Sequence, residues 1–206
     1  QTRVGRGLAR LHRQSAQQGS LENGAGWFGW AWDGYIGLGH QPGGWCQSWG
    51  EAFVDLRLRP QLEQAQSWGL SLADLEPWLQ ELRDRLDQHG PDAALVHGDL
   101  WGGNAAVLAD GRGLMFDPAS WWADREVDLA MTRCFGGFSQ AFYSGYHQEW
   151  PLPPGAHHRV EIYNLYHSSR SGSGFFNAGF YANPAVDAHL EAAQRATSLE
   201  ASLPHW

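Results

Sequence analysis

Residues 95–104 read Leu-Val-His-Gly-Asp-Leu-Trp-Gly-Gly-Asn, and two further motifs follow them, Phe-Asp-Pro at 116–118 and Glu-Val-Asp-Leu-Ala at 126–130. Between the first two motifs, the apolar runs 105–108 and 114–116 flank Asp110-Gly111, a dipeptide typical of hairpin turns. A hairpin of this length returns the chain to its starting point. The sequence therefore predicts that Asp117 comes back beside the loop that begins at His97.

The residue types in these motifs fit the demands of phosphoryl transfer. The transition state of that reaction is charged and loosely bonded, so catalysis depends on positioning and on neutralisation of charge. Asp99 could orient an attacking hydroxyl and accept its proton, while Asn104 and Asp117 offer oxygen ligands of the kind that Mg²⁺ prefers. The order His-x-Asp-x-x-x-x-Asn followed by a later Asp is the protein-kinase-like pattern. The alternative is a polar turn whose Asp and Asn side chains bind nearby backbone groups.

Two further polar residues accompany the loop. His97 could be a second base, but we favour a structural role in which it bonds to nearby backbone. Asp128 could be a metal ligand. Its place at the start of a predicted helix favours hydrogen bonds to backbone N–H groups, so we expect it to hold the catalytic loop in place.

The rest of the sequence is mainly helical in pattern, with apolar residues recurring at helical spacing. The clearest helix begins at Ser71, a candidate N-cap with Asp74 three residues later, and Pro60 should break or bend an earlier one. Residues 19–44, rich in Gly and Trp, indicate an ordered loop packed by its aromatic side chains. We predict helices at about residues 2–17, 45–68, 71–88, 127–134, 139–147, 156–167 and 184–201, and a strand at 94–96.

Composition narrows the class of protein. With 206 residues, 43% of them hydrophobic, the chain can form one domain over residues 1–206 with its own core. The net charge of −8 and the lack of a basic run argue against a nucleic-acid partner. The sequence contains no apolar run of about 18 residues, so it predicts no membrane span. The two cysteines, without metal-ligand spacing, favour a reducing compartment, so we expect a cytoplasmic location.

The string at 97–104 closely resembles the catalytic loop of fructosamine-3-kinases and ketosamine-3-kinases, a protein-kinase-like family related to aminoglycoside phosphotransferases. Aminoglycoside and choline kinases share its outline, but Trp101 is more distinctive of the first family. The resemblance runs from about Gly7 to Asn183. Further matching stretches lie at 45–49, 57–62, 116–120, 126–130, 135–138 and 142–147.

The resemblance implies an α+β, mainly α fold: the C-terminal lobe of a kinase, with a small β-hairpin element carrying the catalytic and metal-binding loops. It implies ATP and Mg²⁺ as cofactors, Asp99 as the base, and Asn104 and Asp117 as metal ligands. Trp101, beside the base, would form a wall of the substrate pocket, although it could instead belong to the core. The implied reaction phosphorylates the sugar 3-hydroxyl of free or protein-bound ketosamines, which repairs glycated protein.

Two departures from the family are visible in the sequence. All 14 basic residues are Arg, whereas the family has an N-terminal β lobe whose lysine pairs with the nucleotide phosphates. We therefore expect that lobe to be absent and the 206 residues alone to be impaired. Residues 168–174 are polar and Gly-rich where the family continues an apolar helix. The alternatives are a kinase of the aminoglycoside or choline type and a non-catalytic module that binds sugar-amines.

Overall fold

The computed structural model describes residues 1–36, 39–66, 69, 71–134 and 136–168. Within these ranges the helices are α1 (Thr2–Gln18), α2 (Trp49–Phe53), α3 (Arg59–Ala65), α4 (Leu72–His89), α5 (Glu126–Cys134), α6 (Gln140–Glu149) and α7 (Ala156–Ser168). The strands are β1 (Phe28–Trp30), β2 (Gly34–Ile36), β3 (Gly39–Gln41), β4 (Gly44–Cys46), β5 (Ala93–Val96), β6 (Ala105–Val107), β7 (Gly113–Met115) and β8 (Trp121–Asp124). The fold is therefore mixed, with helices predominating over small sheets. No helix in the described ranges is both long and apolar enough to cross a membrane.

A four-stranded sheet with the order β4-β1-β8-β5 forms the centre of the fold. Each neighbouring pair is antiparallel, with Val96 opposite Trp121 and Gly29 opposite Trp122. Because β8 runs antiparallel to both β1 and β5, these two strands run in the same direction. The loop that follows Val96 therefore leaves the sheet at the end where β8 begins. Two separate hairpins, β2–β3 and β6–β7, complete the β structure of the described residues.

One face of the sheet packs on an aromatic core around Trp49. The Trp49 indole is 2% exposed, and its ring lies 5.4–5.9 Å, between centroids, from Phe28, Phe53, Trp121 and Tyr163. The indole N–H donates to the Tyr163 hydroxyl at 3.0 Å. That bond satisfies a donor whose burial would otherwise cost free energy. The core thus joins α2, α7 and the sheet.

A second core lies between α1 and α6, where the two backbones touch. A Cβ on Gly5 would lie 2.0 Å from the carbonyl oxygen of Phe142, and one on Gly145 would lie 2.2 Å from that of Thr2. Leu100, from the predicted catalytic loop, is fully buried in this core. The α1–α6 crossing therefore helps to anchor the loop.

The helix predicted across Pro60 does not break there. Helices α2 and α3 are joined by a π-helical turn, Val54–Leu58, and Pro60 is the second residue of α3. Proline lacks the N–H that would donate to the carbonyl of Leu56. That oxygen instead accepts from Arg57 Nη1 at 2.8 Å, and the same nitrogen donates to the carbonyl of Pro42 at 3.1 Å. The wider π-helical turn therefore accommodates Pro60 without a break between α2 and α3.

Other predictions have mixed outcomes. The hairpin around Asp110-Gly111 is confirmed as β6–β7, and the strand at 94–96 as β5. The prediction of a loop at 19–44 is wrong, because β1–β3 and the start of β4 lie there, and β8 was missed. Ser71 precedes α4, but its side chain makes no capping hydrogen bond. The helix predicted at 184–201 lies outside the described residues, as do 169–174.

Gly5→Ala should destabilise the fold, whereas Gly7→Ala on the same helix should not. The first methyl group meets the Phe142 carbonyl, which costs about 1–3 kcal/mol in a packed interface. The second meets nothing within 4 Å, and replacing an exposed helical glycine gains up to about 1 kcal/mol. Urea unfolding of both variants measures the difference. Equal effects would show that the α1–α6 approach is not a close one.

Candidate active site

The predicted catalytic loop begins where β5 ends, and one buried carboxylate holds its first two residues. Asp128, near the start of α5, is fully buried. Its Oδ2 accepts from the backbone N–H of His97 at 2.7 Å, and its Oδ1 accepts from that of Gly98 at 2.8 Å. Asp128 thus occupies the supporting position that the sequence predicted, at the backbone of the loop.

Burial of Asp128 opposes ionisation, but its hydrogen bonds outweigh that effect. Besides the two N–H groups of the loop, the carboxylate lies 3.1 Å from Nε2 of His12. Together these donors hold the pKa of Asp128 below its ordinary value. The folded protein therefore keeps this carboxylate charged, which is the form that accepts hydrogen bonds most strongly.

The turn at Gly98 brings the segment after the hairpin against the loop. Gly98 has a φ of 80°, and a Cβ on it would lie 2.0 Å from the carbonyl oxygen of Ala119. The backbone N–H of Ala119 donates to the carbonyl of His97 at 2.9 Å. Only glycine combines this left-handed conformation with so close an approach. Residues 116–119 consequently lie directly beside the loop.

His97 bonds to backbone on both sides of its ring. Its Nε2 lies 3.0 Å from the carbonyl oxygen of Phe116, and its Nδ1 accepts from the backbone N–H of Asp99 at 3.3 Å. The neutral tautomer with hydrogen on Nε2 satisfies both contacts. The ring therefore ties the loop to the end of the hairpin, in the structural position that we favoured for it.

Asp99 and Asn104, two of the three residues predicted to carry the chemistry, are in contact, and the backbone of Asp117, the third, lies beside them. Asp99 and Asn104 are each 5% exposed. The Asn104 Nδ2 donates to the carbonyl oxygen of Asp99 at 2.9 Å and to its Oδ2 at 3.1 Å, and it lies 3.5 Å from the carbonyl oxygen of Asp117. Since the amide nitrogen is directed at Asp99, the amide oxygen is the atom of Asn104 that could bind a cation.

Asp117 adopts an unusual backbone conformation at the end of the hairpin. Its φ is 56°, the one positive value at a non-glycine position among the residues with described structure. Such conformations cost free energy and cluster at functional sites. The side chain is exposed, and the site offers carboxylate and amide oxygens without sulfur or imidazole ligands among the three residues. This donor set fits a hard cation such as Mg²⁺.

Trp101 lies over the glycines of the loop. Its side chain is 38% exposed, and ring atoms would lie 2.2–2.6 Å from a Cβ on Gly103. Gly102, in turn, packs against the backbone of Gly137. The missing side chain of Gly103 lets the indole lie close against the loop, at the surface rather than in the core.

His12 is the participant that sequence reasoning missed. It belongs to α1, more than 80 positions before the loop, and a single histidine on the apolar side of a helix gives no signal of its partner. The structure places its ring, fully buried, between Asp128 and the hydroxyl of Tyr146.

A second buried polar cluster lies at the other end of β8. Asp124 Oδ2 accepts from Nε2 of His89 at 3.0 Å and from the Tyr163 hydroxyl at 2.7 Å. Glu126 binds Arg159 through both carboxylate oxygens, at 2.7 and 2.8 Å. Ligand atoms of His89, Asp124 and Glu126 lie within 4.8 Å of one another. The charge of Glu126 is already balanced by Arg159. The cluster is therefore accounted for by the polar contacts that join α7 to the sheet.

A kinase-like class of protein is defined by this combination: the buried loop at 97–104, the β6–β7 hairpin and Asp117 after the hairpin. A sequence model of the fructosamine kinase family matches residues 1–187. Similar curated proteins include a probable ketoamine kinase of Vibrio parahaemolyticus, 41% identical over 165 residues, and one of Synechocystis, 42% identical over 165 residues. The chain belongs to the fructosamine kinase family.

Solved structures agree with this membership. A candidate fructosamine-3-kinase from Haemophilus somnus aligns with a TM-score of 0.67 and 28% identity, covering 96% of this chain and 58% of that one. Another from Thermobifida fusca aligns with a TM-score of 0.67 and 31% identity, covering 82% and 56%. The two curated relatives are each matched over 80% of this chain and over 54% and 53% of their own length. The chain therefore spans about half the length of the curated relatives it matches.

Asp128→Asn should lower stability in a manner that depends on pH. Because folding lowers the pKa of Asp128, the ionised carboxylate contributes stability above its ordinary value of about 3.9, and that contribution is lost as pH falls through the folded value. At pH 7 we expect a loss of about 1–3 kcal/mol, since a buried N–H group of the loop loses its acceptor. Urea unfolding of both proteins from pH 7 downward measures this.

The difference between the two proteins should shrink as the pH falls below about 4. Asp84→Asn, at an exposed position on α4, is the matched control and should change stability little at any pH. A loss for Asp128→Asn that stays constant down to the acid transition would contradict the assignment of a charged Asp128.

Proposed function

We propose that the full-length protein uses ATP to phosphorylate the sugar 3-hydroxyl of ketosamines, the adducts that rearrange from sugars and amines. The observation that carries the proposal is the contact of Asn104 with the carboxylate of Asp99, beside Asp117, within the loop that matches the family. The names of the relatives, as ketoamine kinases, support the substrate class.

Asp99 is the residue that we assign to the proton. Its carboxylate is nearly buried, and the bond from Asn104 Nδ2 fixes the position of Oδ2. A fixed carboxylate next to the attacking hydroxyl would orient that hydroxyl and accept its proton as the new O–P bond forms and the bond from the γ-phosphorus to the leaving ADP breaks. Positioning of this kind accounts for much of the rate in phosphoryl transfer.

Asn104 and Asp117 are the residues that would hold Mg²⁺. The amide oxygen of Asn104 and the exposed carboxylate of Asp117 are ligands of the kind that a hard cation requires, and the carbonyl oxygen of Asp117 lies 3.5 Å from Asn104 Nδ2. When bound, ATP would supply the phosphoryl group, and Mg²⁺ would neutralise part of the charge on its phosphates. The left-handed backbone at Asp117 and the contact of His97 with the neighbouring Phe116 carbonyl support this assignment, because both involve the backbone where the hairpin rejoins the loop.

Trp101 forms the wall that recognises the substrate. Its exposed ring belongs to the second residue after Asp99 and lies against Gly103. An aromatic face can pack on the flat side of a sugar and attract a protonated amine. A ketosamine presents both groups, so the wall suits this substrate class.

The nucleotide phosphates need cationic partners. The chain contains no lysine that could serve as one. We therefore assign turnover to the full-length protein. The 206 residues alone, assayed beside it, should bind MgATP too weakly for normal turnover.

Asp99→Asn should remove most activity of the full-length protein. Loss of a general base costs about 10²- to 10⁴-fold in rate. The assay supplies ATP, Mg²⁺ and a ribulosamine or fructosamine, and ³¹P NMR locates the phosphate on the sugar. Asp84→Asn serves as the control for an exposed carboxylate and should retain its rate.

Three results would count against this proposal. Turnover of an aminoglycoside or choline, but of no ketosamine, would replace the substrate class. Ketosamine binding without phosphate transfer would indicate a binding module. An unchanged rate in Asp99→Asn would assign the base elsewhere.

Trp101→Ala and Gly103→Ala should weaken ketosamine binding through the same ring. Loss of a ring contact to a sugar-amine is worth about 1–2 kcal/mol, or roughly a tenfold rise in KM for the ketosamine, while KM for ATP changes little. A methyl group on Gly103 displaces the ring, so adding Gly103→Ala to Trp101→Ala should have little further effect. Additive effects of the two substitutions would show that Gly103 acts on the loop independently of Trp101.

A further inference from the structure

His12 is a buried, titratable side chain that the proposed chemistry does not use directly. Its imidazole is 0% exposed and lies between residues of two other helices. Nε2 is 3.1 Å from Asp128 Oδ2, on α5, and Nδ1 is 2.9 Å from the hydroxyl of Tyr146, on α6. Burial of an imidazole costs free energy unless its nitrogens are hydrogen-bonded, and here both nitrogens have a partner.

The contact with His12 completes the hydrogen bonding of the Asp128 carboxylate. Oδ1 accepts from Gly98, whereas Oδ2 accepts from His97 and from His12. Two donors on the loop side fix the carboxylate relative to the loop, and the third fixes it relative to α1. In the neutral ring, hydrogen on Nε2 faces Asp128 and leaves Nδ1 to accept from Tyr146.

Helix α1 contacts the loop region at a second place, one turn further on. The hydroxyl of Ser15 accepts from the backbone N–H of Leu95 at 3.0 Å and donates to the carbonyl of His12 at 3.0 Å. Leu95 is two residues before His97. Ser15 thus fixes the strand that leads into the loop, and His12 fixes the carboxylate that receives the first N–H groups of the loop.

We propose that His12 is a positioning residue for phosphoryl transfer. By donating to Asp128, it sets the orientation of the peptide groups at His97 and Gly98, and through them the place of the Asp99 carboxylate. His12 touches neither substrate nor nucleotide in this assignment. The inference rests on the proposed function for its kinetic readout, but the structural readout below requires no substrate.

The test compares two amides at position 12 in the full-length protein. The nitrogen of a glutamine reaches about as far as Nε2 and can donate to Asp128, whereas that of an asparagine reaches about as far as Nδ1 and can meet only Tyr146. His12→Gln should keep kcat within about threefold. His12→Asn should lower kcat by up to about 10²-fold, the effect of an ångström-scale misplacement, with little change in KM for the ketosamine.

Stability must be separated from positioning. Thr132→Val removes the buried hydroxyl that donates to Leu129 at 2.8 Å, one turn further along α5. It should lower the free energy of unfolding without lowering kcat of the folded fraction. Rates of all variants are normalised to folded protein, measured by unfolding curves.

Amide hydrogen exchange supplies the readout that is independent of activity. The N–H groups of His97 and Gly98 should exchange at least tenfold faster in His12→Asn than in His12→Gln. Equal kcat and equal exchange in the two amide variants would overturn the proposal, as would a kcat loss in Thr132→Val equal to that in His12→Asn.

The two proposals can fail separately. If the full-length protein phosphorylates another alcohol and no ketosamine, the proposed function fails, and the variants are compared on that alcohol. If it transfers no phosphate at all, the exchange rates alone decide whether His12 positions the loop.

Discussion

The hydrogen bonds from two consecutive backbone N–H groups to the buried carboxylate of Asp128 are the constraint on which the site depends. His97 and Gly98 donate at 2.7 and 2.8 Å to an acceptor fully removed from water. In such surroundings a charged acceptor binds its donors strongly and tolerates little displacement. The direction of the chain into Asp99 is therefore set from the inside of the fold, by a residue about 30 positions later.

The rest of the structure brings other elements to that fixed point. Antiparallel pairing of β8 with β5 places residues 116–119 at the edge of the sheet where the loop starts. Gly98 permits their close approach, and the β6–β7 hairpin returns Asp117 beside Asn104. Because the burial of Leu100 ties the loop to α1 and α6 as well, both cores support one short segment. Membership of the fructosamine kinase family rests on the match over residues 1–187, which includes this segment.

The features predictable from the sequence were those that depend on residues close together in the chain. The hairpin was predictable, because Asp110-Gly111 and its flanking apolar runs act over a few residues. So were the hydrogen bonds of Asp128 to backbone N–H groups, because Asp128 lies near a helix start. β8 was not, since its residues show no alternation: all four are buried. The contact of His12 with Asp128 joins positions 116 residues apart, and no local pattern encodes such a pair. Residues 19–44 were misjudged because their strands are three residues long and rich in glycine.

We propose that Asn104 and Asp117 hold a metal beside Asp99. Crystals of the full-length protein grown with Mn²⁺ and a non-hydrolysable ATP analogue would test this proposal, because anomalous scattering locates manganese without ambiguity. We expect a peak coordinated by the Asn104 amide oxygen and the Asp117 carboxylate, next to Asp99. A metal peak only at another acidic cluster, such as that of His89, Asp124 and Glu126, would contradict it.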